Sequence, residues 1–168
     1  MVKGVVSMIF HPIDPVFDQN SEVLILGSFP SVKSREMQFF YAHPQNRFWR
    51  VLAAVFDCEV PETVAQKRAF LLRHRIALWD VIASCEITGS SDASIRNVAV
   101  NDVERILSCT QIQTIVVNGK TAQKYYNRYL RPVLHRDAVC LPSTSPANAA
   151  WSMERLVDAW QAVRRITT

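Results

Sequence analysis

Four short apolar runs constrain this chain more than any other feature. They are EVLILG (Glu22 to Gly27), IALWDV (Ile76 to Val81), TIVVNG (Thr114 to Gly119) and AVCLP (Ala138 to Pro142). Each is nearly continuous in apolar character rather than alternating, as expected of a strand in a parallel sheet covered on both faces. Helical patterns lie between them. NRFWRVLAAVF sets Phe48, Leu52 and Val55 at helical spacing. PETVAQKRAFLLRH places Pro61 in a first-turn role with Glu62 near the start, and ends in Arg73, His74 and Arg75, which suits the helix dipole at both ends. NDVERILSC offers Asn101 as an N-cap before Val103, Ile106 and Leu107. TAQKYYNRYL follows the third run directly, and the chain closes on a helix carrying Trp151, Leu156, Val157, Trp160 and Val163. Alternating strand and helix implies right-handed crossovers and a parallel sheet between helices.

The 168 residues fit one domain, 1–168, and 49% hydrophobic with 20% charged residues argues against disorder. The four cysteines are far apart, with no Cys-x-x-Cys pair and no His at metal spacing, so they read as reduced thiols and no metal is expected. The N-terminal MVKGVVSMIFHPI is too soon interrupted for a signal peptide, and no apolar run approaches the ~20 residues of a membrane span. The expectation is a soluble cytoplasmic protein, without membrane contact. A net charge of +4 hints at a polyanionic partner. Only four glycines are present, with no G-x-G-x-x-G, no P-loop and no G-x-S-x-G elbow. The usual dinucleotide, nucleotide and hydrolase readings of an α/β domain therefore lack their backbone requirement.

In such a sheet ligands bind beyond the carboxyl ends of the strands, so the segments that follow the strands carry the chemistry. After the first comes GSFPSVKSREMQFFYAHPQNRFW, where Gly27 allows a tight exit and Pro30 leaves the amides of Ser28, Phe29 and Ser31 as donors. Phe39, Phe40 and Tyr41 offer flat faces, and Asn46 is either a helix cap or a pocket residue, with His43 on the surface in the first case. Asp80 ends the second run, as a surface cap or as a carboxylate in an apolar pocket that must find donors. Ser90, Ser91, Ser94, Arg96 and Asn97 form a polar loop, solvated or touching phosphate. Lys120 starts a helix, as a surface charge or a phosphate contact. The fourth run leads into LPSTSPANAAW, whose Ser143, Thr144 and Ser145 can cap the last helix or bond phosphate, while Pro142 and Pro146 stiffen the loop.

Four of these segments in this order, LILGSFPS, YAHPQNRFW, IVVNGKTA and LPSTSPANA, resemble the uracil-DNA glycosylase superfamily, and most closely its hypoxanthine-DNA glycosylase branch. The resemblance covers about Glu22 to Val163 and implies a three-layer α/β/α sandwich around a central four-stranded parallel sheet. It implies a cofactor-free, monomeric hydrolase that flips a deaminated base out of DNA and cuts its N-glycosidic bond, leaving an abasic site. One departure stands out: the position that commonly holds a water-handling Asp or Asn is Phe29, and a second position often His or Asn is Ser143. Asn46 is the nearest polar replacement.

The resemblance implies Asn46 and Ser143 as catalytic. It implies Tyr41, with Phe40 as second choice, as the base-stacking ring, the Ser28 and Phe29 amides as donors to a base carbonyl, and Asp80 as acceptor for the base edge. Ser31, Lys120, Ser145, Pro146, Ala147 and Asn148 would meet DNA, the Pro146–Ala147–Asn148 turn as the wedge. Three alternatives stay open: a uracil or thymine-mismatch glycosylase of the same fold, a damaged-DNA-binding module without catalysis, and a small-molecule α/β hydrolase. The last lacks an elbow and a triad.

Overall fold

A computed structural model describes residues 7–167. Strand β1 (Met8–Phe10) leads by a crossing segment to β2 (Val23–Gly27). Helices α1 (Val32–Met37), α2 (Phe48–Val55) and α3 (Val64–Arg73) follow, then β3 (Ile76–Asp80), β4 (Ile82–Glu86) and β5 (Arg96–Val100). Next come α4 (Glu104–Leu107), β6 (Thr114–Asn118) and α5 (Lys120–Tyr125), which runs on through a wide turn (Tyr126–Leu130) into α6 (Arg131–Leu134). Strand β7 (Ala138–Leu141) and α7 (Met153–Ile166) complete the chain.

The four apolar runs form the expected parallel sheet, in the order β3-β2-β6-β7. Val23 to Leu26, Ile76 to Leu78 and Val116 to Val117 have essentially no exposed surface, which is why these strands tolerate no alternation. Right-handed crossovers put α2 and α3, which lead from β2 to β3, on one face and α4 and α5, which lead toward β6 and β7, on the other. Helix α7 packs on α2, with Trp160 edge-on to Phe48 at 6.0 Å. The three-layer α/β/α architecture is thereby complete.

Register decides where the site falls. Gly27 lies opposite Asp80, Leu26 opposite Val117, and Asn118 opposite Leu141, so Gly27, Asp80, Asn118 and Leu141 line up along the carboxyl edge. The connections from β2 and β6 leave in opposite directions, so this edge holds the topological switch point.

Some local expectations are corrected. A second, antiparallel sheet, β1-β4-β5, has no counterpart among the runs read as strands, and Arg96 and Asn97, read as loop, begin its last strand. Helix α3 starts later than Pro61, because Thr63 and Gln66 close a capping box, leaving Pro61 and Glu62 ahead of it. Asn101 caps nothing: its buried Nδ2 donates to the carbonyls of Asp80 (2.9 Å) and Ile82 (3.2 Å), clamping the corner between β3 and β4. Helix α7 is capped by Ser152, whose hydroxyl accepts from Arg155 N–H, and not by Ser143, Thr144 or Ser145.

Candidate active site

Gly27 is a glycine for lack of room rather than for its φ. A Cβ there would stand 2.3 Å from Asp80 Oδ1 and 2.8 Å from the Tyr41 hydroxyl. A carboxylate oxygen and a phenol oxygen therefore converge over the end of β2. Asp80 is 4% exposed. Its other oxygen, Oδ2, accepts from His11 Nε2 at 2.7 Å, and the two side chains are buried together. The carboxylate reading of Asp80 holds over the surface-cap reading.

Tyr41 arrives with φ of 51°, a left-handed conformation costly for a tyrosine. Packing holds it there: one ring face stacks on Phe48 at 4.0 Å, leaving the ring otherwise half-buried. Asn118 Nδ2 donates to the Tyr41 oxygen at 3.1 Å, so the phenol proton is turned away from Asn118. Burial, and then the neighbouring Asp80 charge, push the Tyr41 phenol far upward, with the Asn118 bond pulling weakly against them. Tyr41 is thus a neutral hydroxyl and a donor.

Behind it runs a buried amide–hydroxyl relay. Asn118 Nδ2 also donates to Thr144 Oγ1 (3.0 Å), and Thr144 N–H returns a bond to Asn118 Oδ1 (3.1 Å). The wholly buried Thr144 then gives its hydroxyl proton to Asn46 Oδ1 at 3.0 Å. Asn46 Oδ1 accepts a second bond, from Phe48 N–H at 2.9 Å, which starts α2. Both acceptor positions of that amide are filled, which fixes its orientation. Asn46 Nδ2 has no protein partner among the described residues and is the end left for a ligand or water. The N-cap position of α2 falls to Arg47, so Asn46 is not the cap; it stands one residue ahead and its side chain accepts from Phe48, the first helical N–H.

Arg47, unremarked in the sequence, braces the loop after β7. Its guanidinium donates to the carbonyls of Ser145 (3.3 Å), Asn148 (3.1 Å) and Trp151, and its backbone N–H to Thr144 O (3.1 Å). Within the loop, Ser145 N–H bonds Ser143 Oγ (3.1 Å) and Ala147 N–H bonds Ser145 Oγ (3.2 Å). Asn148 Nδ2 turns back to Ser143 O (3.0 Å), so Asn148 braces the turn and leaves Pro146 and Ala147 exposed at its tip. Ser143 packs against Gly119, where a Cβ would stand 2.8 Å from Ser143 Cβ.

The remaining candidates sort by burial. Phe40 is 2% exposed, packed between Phe39 and His11, so its ring belongs to the core and is no open stacking face. Phe29 is half-buried, edge-on to His11 at 5.9 Å, with Arg35 over its other side at 5.6 Å. Ser28 lies beside it, its carbonyl accepting from Ile82 N–H (3.1 Å). Ser31 is the cap of α1, its hydroxyl accepting from Ser34 N–H at 3.1 Å. Lys120 is exposed at the start of α5. The exposed Ser90 hydroxyl accepts from Val32 N–H at 2.9 Å, which ties its loop to the start of α1. His11 carried no signal in the sequence, since nothing in FHPID ties it to a carboxylate 69 residues away. Arg47 did sit inside HPQNRFW, a cation placed where a helix cap meets an apolar face.

The Asp80 carboxylate, the Tyr41 phenol and the oriented Asn46 amide thus gather at the switch point of an α/β fold, the place where such folds bind ligands. A profile of the Uracil DNA glycosylase superfamily matches residues 15–164. A Methanosarcina acetivorans protein named hypoxanthine DNA glycosylase is 35% identical over 160 residues, which is 94% of this chain and 99% of the relative. One of the same name from Methanosarcina barkeri is 32% identical over 136 residues, covering 80% of this chain and 85% of its own. The solution NMR structure of a candidate uracil DNA glycosylase from Methanosarcina acetivorans superposes with a TM-score of 0.75 at 29% identity, over 90% of this chain and 96% of that one. The chain belongs to the uracil DNA glycosylase superfamily, and its class of activity is that of a DNA glycosylase. No described helix is long and apolar enough to cross a membrane.

Proposed function

We propose that the protein removes hypoxanthine, the deamination product of adenine, from DNA by hydrolysing its N-glycosidic bond. The observation that carries this reading is the convergence of Asp80 Oδ1 and the Tyr41 hydroxyl over Gly27. Deamination converts the N1 acceptor of adenine into an N–H donor. A carboxylate oxygen at the base edge receives that donor and repels the lone pair of the parent base. Two relatives bearing the hypoxanthine glycosylase name support the same substrate.

In this reading the flipped base lies on the Tyr41 face opposite Phe48. The Ser28 and Phe29 amides polarise its carbonyl and help the departing base carry negative charge. Asn46 Nδ2 holds a water by its oxygen near the anomeric carbon. An amide donor orients that water but removes no proton from it, so the rate comes from leaving-group stabilisation and an oxocarbenium-like transition state. Phe29, at the end of β2, excludes bulk water without supplying a base. Ser143, Ser145 and Lys120 approach the backbone of the strand, and Pro146 and Ala147 press into the space the base leaves.

Asp80→Asn tests the base-edge assignment. His11 keeps its donor toward the amide oxygen, which turns the new NH2 toward Gly27 and the base. Hypoxanthine release should fall at least tenfold and adenine release should become measurable. An unchanged base profile contradicts the assignment.

A further inference from the structure

The His11 side chain is buried, and its polar link to the site is the bond to Asp80. Its position is set by the backbone: His11 N–H donates to Ala83 O at 2.7 Å, extending the β1–β4 pairing. Further on, Val16 bridges Leu78 in both directions, which carries the intervening segment across the edge of β3. The ring is then fixed from both ends. Ile13 N–H donates to His11 Nδ1 at 3.2 Å, so Nδ1 is the bare nitrogen. The proton of the neutral imidazole is therefore on Nε2, which donates to Asp80 Oδ2. A second proton on Nδ1 would oppose the Ile13 N–H.

Among the described residues, the acceptor of that proton is Asp80 Oδ2. Phe29, Phe40 and Trp79 enclose the imidazole at 5.9, 6.0 and 6.5 Å. The charged groups behind them are Arg35 over Phe29 and Arg105 over Trp79, and the Tyr41 hydroxyl faces Asp80 across Gly27. Asn101 holds the Asp80 backbone by its carbonyl and makes no bond to the carboxylate.

From this geometry we infer that His11 is a specificity-determining positioning residue: its Nε2–H occupies Asp80 Oδ2 and leaves Oδ1 as a fixed acceptor toward the base. The consequence is a pocket that selects ring N–H donors, the lactam form shared by deaminated bases, and refuses adenine and cytosine at the same edge. The inference rests on Asp80 as the base-edge group. Without the imidazole donor, Asp80 Oδ2 loses its partner and the carboxylate is free to turn, so Oδ1 no longer holds a fixed position at the base edge. Discrimination against adenine then fails even though Asp80 remains.

The test compares hypoxanthine and adenine release from otherwise identical duplexes by wild type, His11→Phe, His11→Gln and Asp80→Asn. The hypoxanthine-to-adenine ratio should fall at least tenfold in His11→Phe. It should recover in His11→Gln, whose side-chain N–H can replace Nε2–H. A ratio unchanged in His11→Phe while Asp80→Asn shifts it overturns the role of His11 and leaves the base-edge reading intact. A ratio unchanged in Asp80→Asn overturns that reading itself. Because His11→Phe can fail on folding alone, imidazole 15N shifts of the wild type give an independent measure. A proton on His11 Nε2 is the expected result; the Nδ1–H tautomer, with Nε2 bare toward Asp80, overturns the inference.

Discussion

Substituting Gly27 by alanine puts a methyl group into the one space where Asp80 and Tyr41 meet. The new Cβ would stand 2.3 Å from Asp80 Oδ1 and 2.8 Å from the Tyr41 oxygen. Ordinary contact begins at 3.4 Å, so the carboxylate must retreat by about 1 Å. Its 2.7 Å bond to His11 cannot survive such a shift unchanged. Overpacking of this kind costs roughly 1–3 kcal/mol, and a charged hydrogen bond roughly 1.5–3 kcal/mol. Together they amount to roughly 2.5–6 kcal/mol, less than most of the ~5–15 kcal/mol a domain has in hand. Gly27→Ala should therefore fold at 25 °C, with a Tm lower by roughly 10 °C. Single-turnover base release should drop at least a hundredfold, while affinity for undamaged duplex stays within a fewfold. Gly89→Ala is the control, since its Cβ meets nothing within 4 Å and only its φ of 59° is strained. Base release by Gly27→Ala within threefold of wild type would refute the convergence of Asp80 and Tyr41 on the reacting base.

Two further substitutions probe the support of the site. Arg47→Met keeps the aliphatic bulk and removes three guanidinium bonds to the carbonyls of Ser145, Asn148 and Trp151. Amide exchange in residues 143–150 should quicken at least tenfold and base release should fall by a similar factor; unchanged exchange would show that the loop is held by other means. Thr144→Val is close to isosteric, but takes from Asn46 the donor that fixes its amide and from Asn118 an acceptor. Base release should fall roughly tenfold to a hundredfold with KM little changed, whereas a pure KM effect would place Thr144 in binding rather than in positioning.

How far the sequence reaches can be judged from particular residues. The strands of the parallel sheet were legible to within about a residue, because full burial on both faces leaves unbroken apolar runs. Asp80 was legible for the same reason: a carboxylate ending such a run stands out. The second sheet was not. Strand β5 is mostly exposed and β4 carries Ser84 and Glu86 among its apolar residues, with bulged pairing between them, so neither shows a clean period of two. Asn101 looked like a cap because Asn before a helix usually is one, and only tertiary structure shows its amide bridging two carbonyls. Gly27 was read as freedom at a tight turn, and the structure gives a steric reason instead. His11 belongs to a pairing across 69 residues that local pattern cannot express. Phe40 and Tyr41 are neighbours, read in the sequence as second and first choice for the stacking ring, and only the structure shows that Phe40 is buried while Tyr41 is half-exposed.

The most direct measurement is chromatographic detection of free base released by the wild-type protein from duplexes that each carry one hypoxanthine, uracil, xanthine or mismatched thymine. The account predicts free hypoxanthine and an abasic strand that breaks only on alkali treatment, with Asn46→Ala binding the same duplex but releasing nothing. Preferential release of uracil or thymine, or near-normal release by Asn46→Ala, would contradict it.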